Sequence, residues 1–428
     1  MHPRGILPVL LARCAHRRVT VLTGARQTGK TTLVRELLPA ATGLPPVYYS
    51  LDDPDERLRL AADPVRRLDH GPRLVVLDEI QKAPDLLDAV KLLADSGKGR
   101  RFLLLGSSQI LLLSKVRETL AGRAALLELW PLSLSERAAE GELPISGMDL
   151  AWRHGGGGLS RLAEHPRRVE DERRLRAIEE DHLRWGGYPA LGQLPEAERT
   201  PWLRDFRRTY LERDLADLGR VDDLDNFAMA QNLLAARTAQ LLSYSEVSRE
   251  LGVAVNTVKK YVRFLELSYQ AVLLRPLHTN LISRLVKSPK LYMTDPGLAR
   301  LLTERSSPED GAIFETAVLD ELLRWASWQV EAPTIHFFRS HSGAEVDLIV
   351  RDSERLIAIE VKASRISNRS DTRRVRRFLD AWRAPGRQAP RWKIGLLVNR
   401  GRDTLQLDSD IWAIPDWSLF GPVEPDRV

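Results

Sequence analysis

One cysteine, Cys14, stands in a chain of 428 residues, so no disulfide framework can form within it and a reducing compartment is the natural expectation. No apolar run approaches the ~18 residues that a membrane span needs. The opening ILPVLLA is short and runs directly into RCAHRR, with no small-residue cleavage site behind it. It reads as a docked N-terminal helix rather than a signal peptide, and a cytoplasmic protein with no membrane partner is expected. Internal repeats and low-complexity tracts are also missing. What remains is an ordinary globular composition, 43% hydrophobic and 29% charged, with a net charge of +6. The length allows roughly three domains at about 150 residues each. The charge tilts the chain mildly toward polyanionic partners.

RRVTVLTGARQTGKTTLVREL reads as a β-branched strand, a glycine-bounded loop and a helix. Gly24, Gly29, Lys30 and Thr31 fit G-x-x-x-x-G-K-[ST] at the required spacing. Glycines let backbone N–H groups curl around phosphates, and the helix N-terminus adds its positive dipole end. Lys30 is expected to reach the β- and γ-phosphates of ATP and the Thr31 hydroxyl to ligate Mg²⁺, with Thr28 and Thr32 completing the cradle. Further on, RLVVLDEIQ is a buried strand ending in Asp78 and Glu79. Asp78 is expected to hold the Mg²⁺ and Glu79 to orient and deprotonate a water, which points to a hydrolase rather than a kinase. A third strand, RFLLLGSS, ends in Ser107 and Ser108, which either sense the γ-phosphate or cap the next helix. That helix, QILLLSKVRETLAGR, closes with Arg123, placed to reach a neighbouring subunit's nucleotide.

This order of phosphate loop, Asp–Glu strand, polar third strand and edge arginine resembles an AAA-type ATPase. GGYPA at 186–190 resembles an element of the signal-transduction and initiator-like branch, where the proline, here Pro189, is implied to lie against the adenine. LDDP, LDEIQ, LAGR, PLSLSE, GGYPA, YLERDL, RLVKSPKLYMTDPGLARLL and GAEVDL…AIEVKA together resemble the prokaryotic AAA-type ATPases with an appended C-terminal domain of unknown function. The implied fold is α/β. A P-loop domain with a parallel sheet occupies 1–150, a helical lid 151–225, a winged helix 226–305 and a restriction-endonuclease-like α/β domain 306–428. The loop-like HGGGG at 154–158 and SPED at 307–310 mark edges.

Within the third segment, LLSYSEVSRELGVAVNTVKKYVRFLEL reads as two helices around a tight turn at Gly252, with Ser243 and Glu246 as a capping box. Val258, Val262 and Leu265 form the inward stripe of the second helix. Asn256, Lys259, Lys260 and Arg263 fall on its outward face, spaced for a groove or a phosphate rail. The cap position before that helix is Ala254, where a hydroxyl is the usual choice.

AIEVKAS, at 358–364, alternates so that Ile359, Val361 and Ala363 share one face while Glu360 and Lys362 share the other. Asp347 emerges from the strand before it, and Glu315 sits near the start of the amphipathic helix GAIFETAVLDELLRW. Together they form E…D…E-x-K, the constellation of the PD-(D/E)xK nuclease-like fold, in which Asp347 and Glu360 would hold Mg²⁺ or Mn²⁺ and Lys362 would assist the attacking water. The arginine-rich stretch that follows, with Trp residues interleaved, suits phosphates and bases. The leading reading is a ring- or oligomer-forming ATPase that engages DNA and cuts it. The rival is an ATP-driven switch whose appended domains bind DNA or a protein without cleaving.

Overall fold

The structure is a computed structural model that describes residues 2–97, 99–106, 119–142, 145–165, 167–211, 224–277, 288–304, 310–340, 343–382 and 390–423. Ser107 and Ser108 lie outside the described residues, as does most of SPED.

Strands β1 (Val19–Thr23), β2 (Val47–Ser50), β3 (Leu74–Asp78), β4 (Arg101–Gly106) and β5 (Ala124–Glu128) form a parallel sheet in the order β2-β3-β4-β1-β5. Their near-continuous apolar runs suit strands covered on both faces. Val19, Val21, Val75, Leu77 and Leu104 enter a core shared with helix Leu86–Asp95. Their neighbours Leu22, Val76, Leu103 and Leu105 meet helix Leu7–His16 and the chain after the glycine loop. The opening apolar run is thus a docked helix. Because β1 and β3 flank β4 and all three are parallel, the glycine loop and Asp78 open on the same edge of the sheet.

The middle of the chain carries helices Leu224–Ala235, Tyr244–Leu251 and Val255–Leu267. They pack with a small antiparallel sheet, β6 (Gln240–Leu241), β7 (Ala271–Leu274) and β8 (Lys290–Met293), in the order β6-β8-β7. Gly252 turns between the last two helices at φ 67°, a left-handed position that glycine takes at little cost. Ser243 accepts from the Glu246 N–H, whereas Ala254 starts its helix with no side-chain cap. Val258, Val262 and Leu265 face the core, as helical spacing predicts.

The C-terminal sheet has six strands: β9 (Thr334–Arg339), β10 (Glu345–Arg351), β11 (Arg355–Lys362), β12 (Trp392–Asn399), β13 (Leu405–Asp408) and β14 (Ile411–Pro415). They run in the order β13-β14-β12-β11-β10-β9, with β10 and β11 antiparallel and β11, β12 and β14 parallel. Helix Gly311–Ser327 covers one face and helix Arg373–Ala381 the other. From Leu356 to Glu360 this strand is therefore buried on both sides, while Lys362 is partly exposed and Ser364 exposed. Ile357 and Ile359 enter one core, Leu356 and Ala358 enter the other, and Glu360 follows Ala358 inward with 1% exposure. A solvated outer face is excluded for the strand as far as Glu360.

HGGGG is not a loop. Gly155 alone makes the turn, between helices Gly147–His154 and Gly156–Glu164. The glycines let these helices pack closely: a Cβ on Gly158 would lie 2.3 Å from the Leu150 carbonyl. The pair buries Met148, Leu150, Trp152 and Leu159 in the core of the six-stranded sheet.

A knot of buried charge ties that sheet to the rest. Arg324, on helix Gly311–Ser327, donates to Glu321 at 3.1 Å, lies 3.5 Å from Asp320 and contacts His182 at 3.1 Å. The Glu321 carboxylate also accepts from the Leu134 N–H, just beyond the parallel sheet. Burial pushes the Glu321 carboxyl from its ordinary 4.5 up to about 7, against the pull of Arg324. A carboxyl raised on folding takes up a proton, so its contribution is complete below about 4.5 and is lost as pH rises through about 7. Denaturant unfolding followed from mildly acid to mildly alkaline pH should therefore show the wild type losing stability more steeply than Glu321→Gln. Equal slopes would sink this assignment.

Candidate functional site

The phosphate loop is shaped by contacts that admit little else. Gly24 has φ 155°, and a Cβ there would lie 2.2 Å from the Leu129 carbonyl oxygen. Gly29 takes φ 92° as it enters the helix at Lys30. Thr28 is buried and donates to the Ala25 carbonyl at 3.0 Å, closing the loop on itself. Lys30 folds back inside it, its Nζ donating to the carbonyls of Gly24 and Ala25 at 2.9 and 2.7 Å. Thr31 and Thr32 stand exposed on the first helical turn.

The loop is held from beneath by Arg4, which sequence reasoning missed. Its guanidinium donates to the Thr28 carbonyl at 2.7 Å, the Trp130 carbonyl at 2.6 Å and Glu136 at 3.1 Å. No local pattern marks an arginine four residues into a chain as the floor of a loop twenty residues on.

Asp78 meets the loop as the motif requires: its Oδ2 accepts from the Thr31 hydroxyl at 2.9 Å. The same oxygen accepts from the Tyr48 hydroxyl, another residue that no motif flagged. A hydroxyl and a carboxylate in contact are the hard oxygen donors that Mg²⁺ takes beside a phosphate, so this set fits the ion. Glu79 follows in a left-handed backbone, φ 56°, unusual for a non-glycine and costing roughly 1–2 kcal/mol. Its N–H donates to Asp78 at 3.0 Å and its carboxylate accepts from the Gln81 amide. The left-handed turn ends the strand at Asp78 and starts the 3₁₀ turn Ile80–Lys82.

Arg123 lies elsewhere. It precedes Ala124, which pairs with Val19 at the start of β1, so it sits at the edge of the sheet opposite the phosphate loop. There it donates to Asp95 at 2.7 Å. Pro189 opens a 3₁₀ turn, and its neighbour Tyr188 shares a core with Ala25 of the loop. Tyr269, just ahead of β7, reaches the same region. Its hydroxyl is 2.5 Å from that of Thr23 at the end of β1.

The C-terminal constellation is assembled differently from its sequence pattern. Glu315 and Asp347 do converge, joined by Glu345, which strand alternation puts on the same face as Asp347. At their centre stands the ammonium of Lys290, 3% exposed, 3.2 Å from Glu315, 2.8 Å from Glu345 and 3.8 Å from Asp347. Tyr292 also donates to Glu315, at 2.5 Å. Burial would lower the lysine, but the three carboxylates win and raise it to about 12. Burial raises Glu315 to about 7, and it raises Asp347 and Glu360 as well. Glu360 faces two cations, Lys362 at 2.8 Å and Arg374 at 3.2 Å. Among the described residues no group of three or more His, Cys, Asp or Glu side chains is disposed to hold a metal ion. As folded, this set fits an internal ammonium rather than Mg²⁺ or Mn²⁺.

On helix Val255–Leu267, Asn256, Lys259, Lys260 and Arg263 are all exposed. Lys259 lies over the Tyr244 ring at 5.9 Å, and Arg263 is 3.9 Å from Glu266.

Residues 16–138 match a family model described as an AAA domain. Residues 177–309 and 310–419 match two domains of unknown function, DUF8612 and DUF4143. Uncharacterized proteins of Mycobacterium tuberculosis and Mycobacterium bovis are each 32% identical over 379 residues, covering 86% of this chain and 75% of theirs. The RuvB Holliday junction branch migration motor of Thermotoga maritima aligns with 63% of this chain and 89% of its own, at 17% identity and a TM-score of 0.29. AMPPCP-bound DnaA from Aquifex aeolicus aligns with 61% and 86%, at 15% identity and 0.24. Likeness at those scores carries no inference about this chain.

Removing the ammonium should leave a buried carboxylate cluster uncompensated. Lys290→Met is expected to cost roughly 3–5 kcal/mol in chemical denaturation, and adding Glu315→Gln should recover part of that loss. A neutral Lys290→Met would refute the neutralising role.

Proposed function

The chain belongs to the family of its two mycobacterial relatives and carries an AAA-family P-loop ATPase domain, and from that premise we propose that it is an ATP-hydrolysing, oligomer-forming switch that engages DNA. The observation that carries this reading is the Thr31 hydroxyl 2.9 Å from Asp78, followed by Glu79 in a left-handed turn at the edge where the glycine loop opens.

In this mechanism Lys30 leaves the Gly24 and Ala25 carbonyls for the β- and γ-phosphates, while the N–H groups ahead of the helix cradle them. Thr31 and Asp78 hold Mg²⁺, which when bound neutralises charge on the phosphates. Glu79, fixed by Gln81, orients the attacking water and accepts its proton. Pro189 and Tyr188 border the adenine. Arg123 acts on a neighbouring copy's nucleotide, and its position on the opposite sheet edge supports action between copies rather than within one. The middle unit is read as a winged helix, its exposed Asn256, Lys259, Lys260 and Arg263 facing DNA phosphates. Metal-dependent cleavage at Glu315, Asp347, Glu360 and Lys362 is the less favoured reading, because Lys290 would first have to leave the carboxylates.

Three measurements test this. Lys30→Ala should abolish nucleotide binding, whereas Glu79→Gln should bind ATP normally and hydrolyse it on the order of 10²–10³-fold more slowly. Arg123→Ala should be inactive alone yet regain turnover when mixed with Lys30→Ala, because each supplies what the other lacks. Glu79→Gln at wild-type rate, or no recovery on mixing, would remove the corresponding role. With Mg²⁺ or Mn²⁺ and DNA, cleavage is expected to stay at the Glu360→Ala background. Cleavage above that background would restore the nuclease reading.

A further inference from the structure

Beside the cluster that holds Ala25 and Tyr188, a cavity of about 710 Å³ opens between the end of helix Val169–Trp185, helix Glu196–Thr209 and helix Pro296–Thr303. Its walls carry Arg184, Arg204, Arg207, Arg208 and Arg300, and Glu304 is the one acidic residue among the described lining residues. Arg204, Arg207 and Arg208 stand at i, i+3 and i+4, so one face of the helix presents all three. Arg204 and Arg208 are exposed, while Arg207 and Arg300 are half-buried.

Within this set Arg184 pairs with Glu196 at 2.7 Å, whereas Arg207 is met by neutral groups. Arg207 donates to the Gln231 and Asn232 side-chain oxygens, each at 2.8 Å, and to the Ala228 carbonyl at 3.3 Å. These neutral acceptors aim the guanidinium without offsetting its charge. Burial holds Arg207 below its ordinary value, and burial with the like charge of Arg184 does the same to Arg300. Trp185 lines the cavity too, its ring 4.9 Å beneath the Arg184 guanidinium.

We propose that this groove binds the sugar–phosphate backbone of a nucleic-acid strand, with successive phosphates on the arginines and a base against Trp185. The inference rests on the reading that the chain engages nucleic acid, and it locates that engagement outside the Val255–Leu267 helix. Guanidinium forks match phosphate oxygens two at a time, which suits arginine rather than lysine here. One free phosphate would occupy at most a pair of forks. Five guanidiniums on three helices in a cavity of this size suit a chain of phosphates, and an aromatic wall suits the bases between them.

The test uses the full chain and a labelled single-stranded oligonucleotide, with anisotropy titrations over a range of salt. The variants are Arg204→Glu/Arg208→Glu and Lys259→Glu/Lys260→Glu, with thermal unfolding as the check on folding. Arg204→Gln/Arg208→Gln replaces the first pair if it does not fold. The groove pair should weaken binding by about tenfold or more and flatten the salt slope by about 1.4, the share of two phosphates. Wild type that binds no oligonucleotide would overturn the nucleic-acid reading and the groove with it. Wild type that binds, with loss confined to the Lys259/Lys260 pair, would overturn the groove alone. Calorimetry of the Lys30→Ala chain with tripolyphosphate, and separately with polyglutamate, distinguishes other anions. Saturable binding of either at the groove, unaffected by oligonucleotide, would replace the proposal with a free-phosphate or acidic-peptide site.

Discussion

A charge taken out of water must meet its partner, and three buried cations organise this molecule by that rule. Arg4 meets Glu136, 132 residues away, and on the way binds the floor of the phosphate loop. Arg324 meets Glu321 and Asp320 on its own helix while Glu321 holds the backbone beyond the parallel sheet. Lys290 leaves the small middle sheet to meet three carboxylates of the C-terminal unit. Apolar contacts alone would tolerate sliding between these units. A buried ion pair does not, because any displacement strands a charge.

The same rule separates the two carboxylate sites. Among the described residues, Asp78 has neutral partners: the hydroxyls of Thr31 and Tyr48 and the N–H of Glu79. These orient the carboxylate and leave its charge to be balanced by a cation from outside. Glu315, Glu345, Asp347 and Glu360 have Lys290, Lys362 and Arg374 instead. Their charge is balanced from within, so a divalent ion would have to displace an ammonium already satisfied at 2.8 Å. Two carboxylate sites therefore differ in chemistry, and the cations beside them account for much of the difference.

That difference was not legible in the sequence. Local patterns carried the glycine loop, the strand ending in Asp78–Glu79, the helix stripe of Val258, Val262 and Leu265 and the strands around Asp347 and Glu360, because each is set by neighbours a few residues apart. Lys290 sits in KSPKLYM, where nothing distinguishes it from a surface lysine; only the packing of β8 against helix Gly311–Ser327 and β10 gives it a role. Arg4, Tyr48 and Tyr269 are likewise defined by partners far off in the chain. HGGGG failed for another reason. Glycine weakens a helix on its own, but here it permits a helix pair close enough to repay that cost in packing.

The middle unit bridges the two sites physically. Tyr269, in the turn between helix Val255–Leu267 and β7, touches Thr23 at the mouth of the phosphate loop, while Lys290 begins β8 inside the carboxylate cluster. The strands pair Ala271 with Met293 and Leu274 with Lys290, so these contacts lie at opposite ends of one short sheet. The paired strands are four residues long, about 10 Å at the usual strand rise. A sheet that short transmits a tilt rather than absorbing it. One short sheet thus has a hydroxyl contact with the phosphate-loop strand at one end and an ammonium among three carboxylates at the other, and displacing either end breaks a buried polar contact.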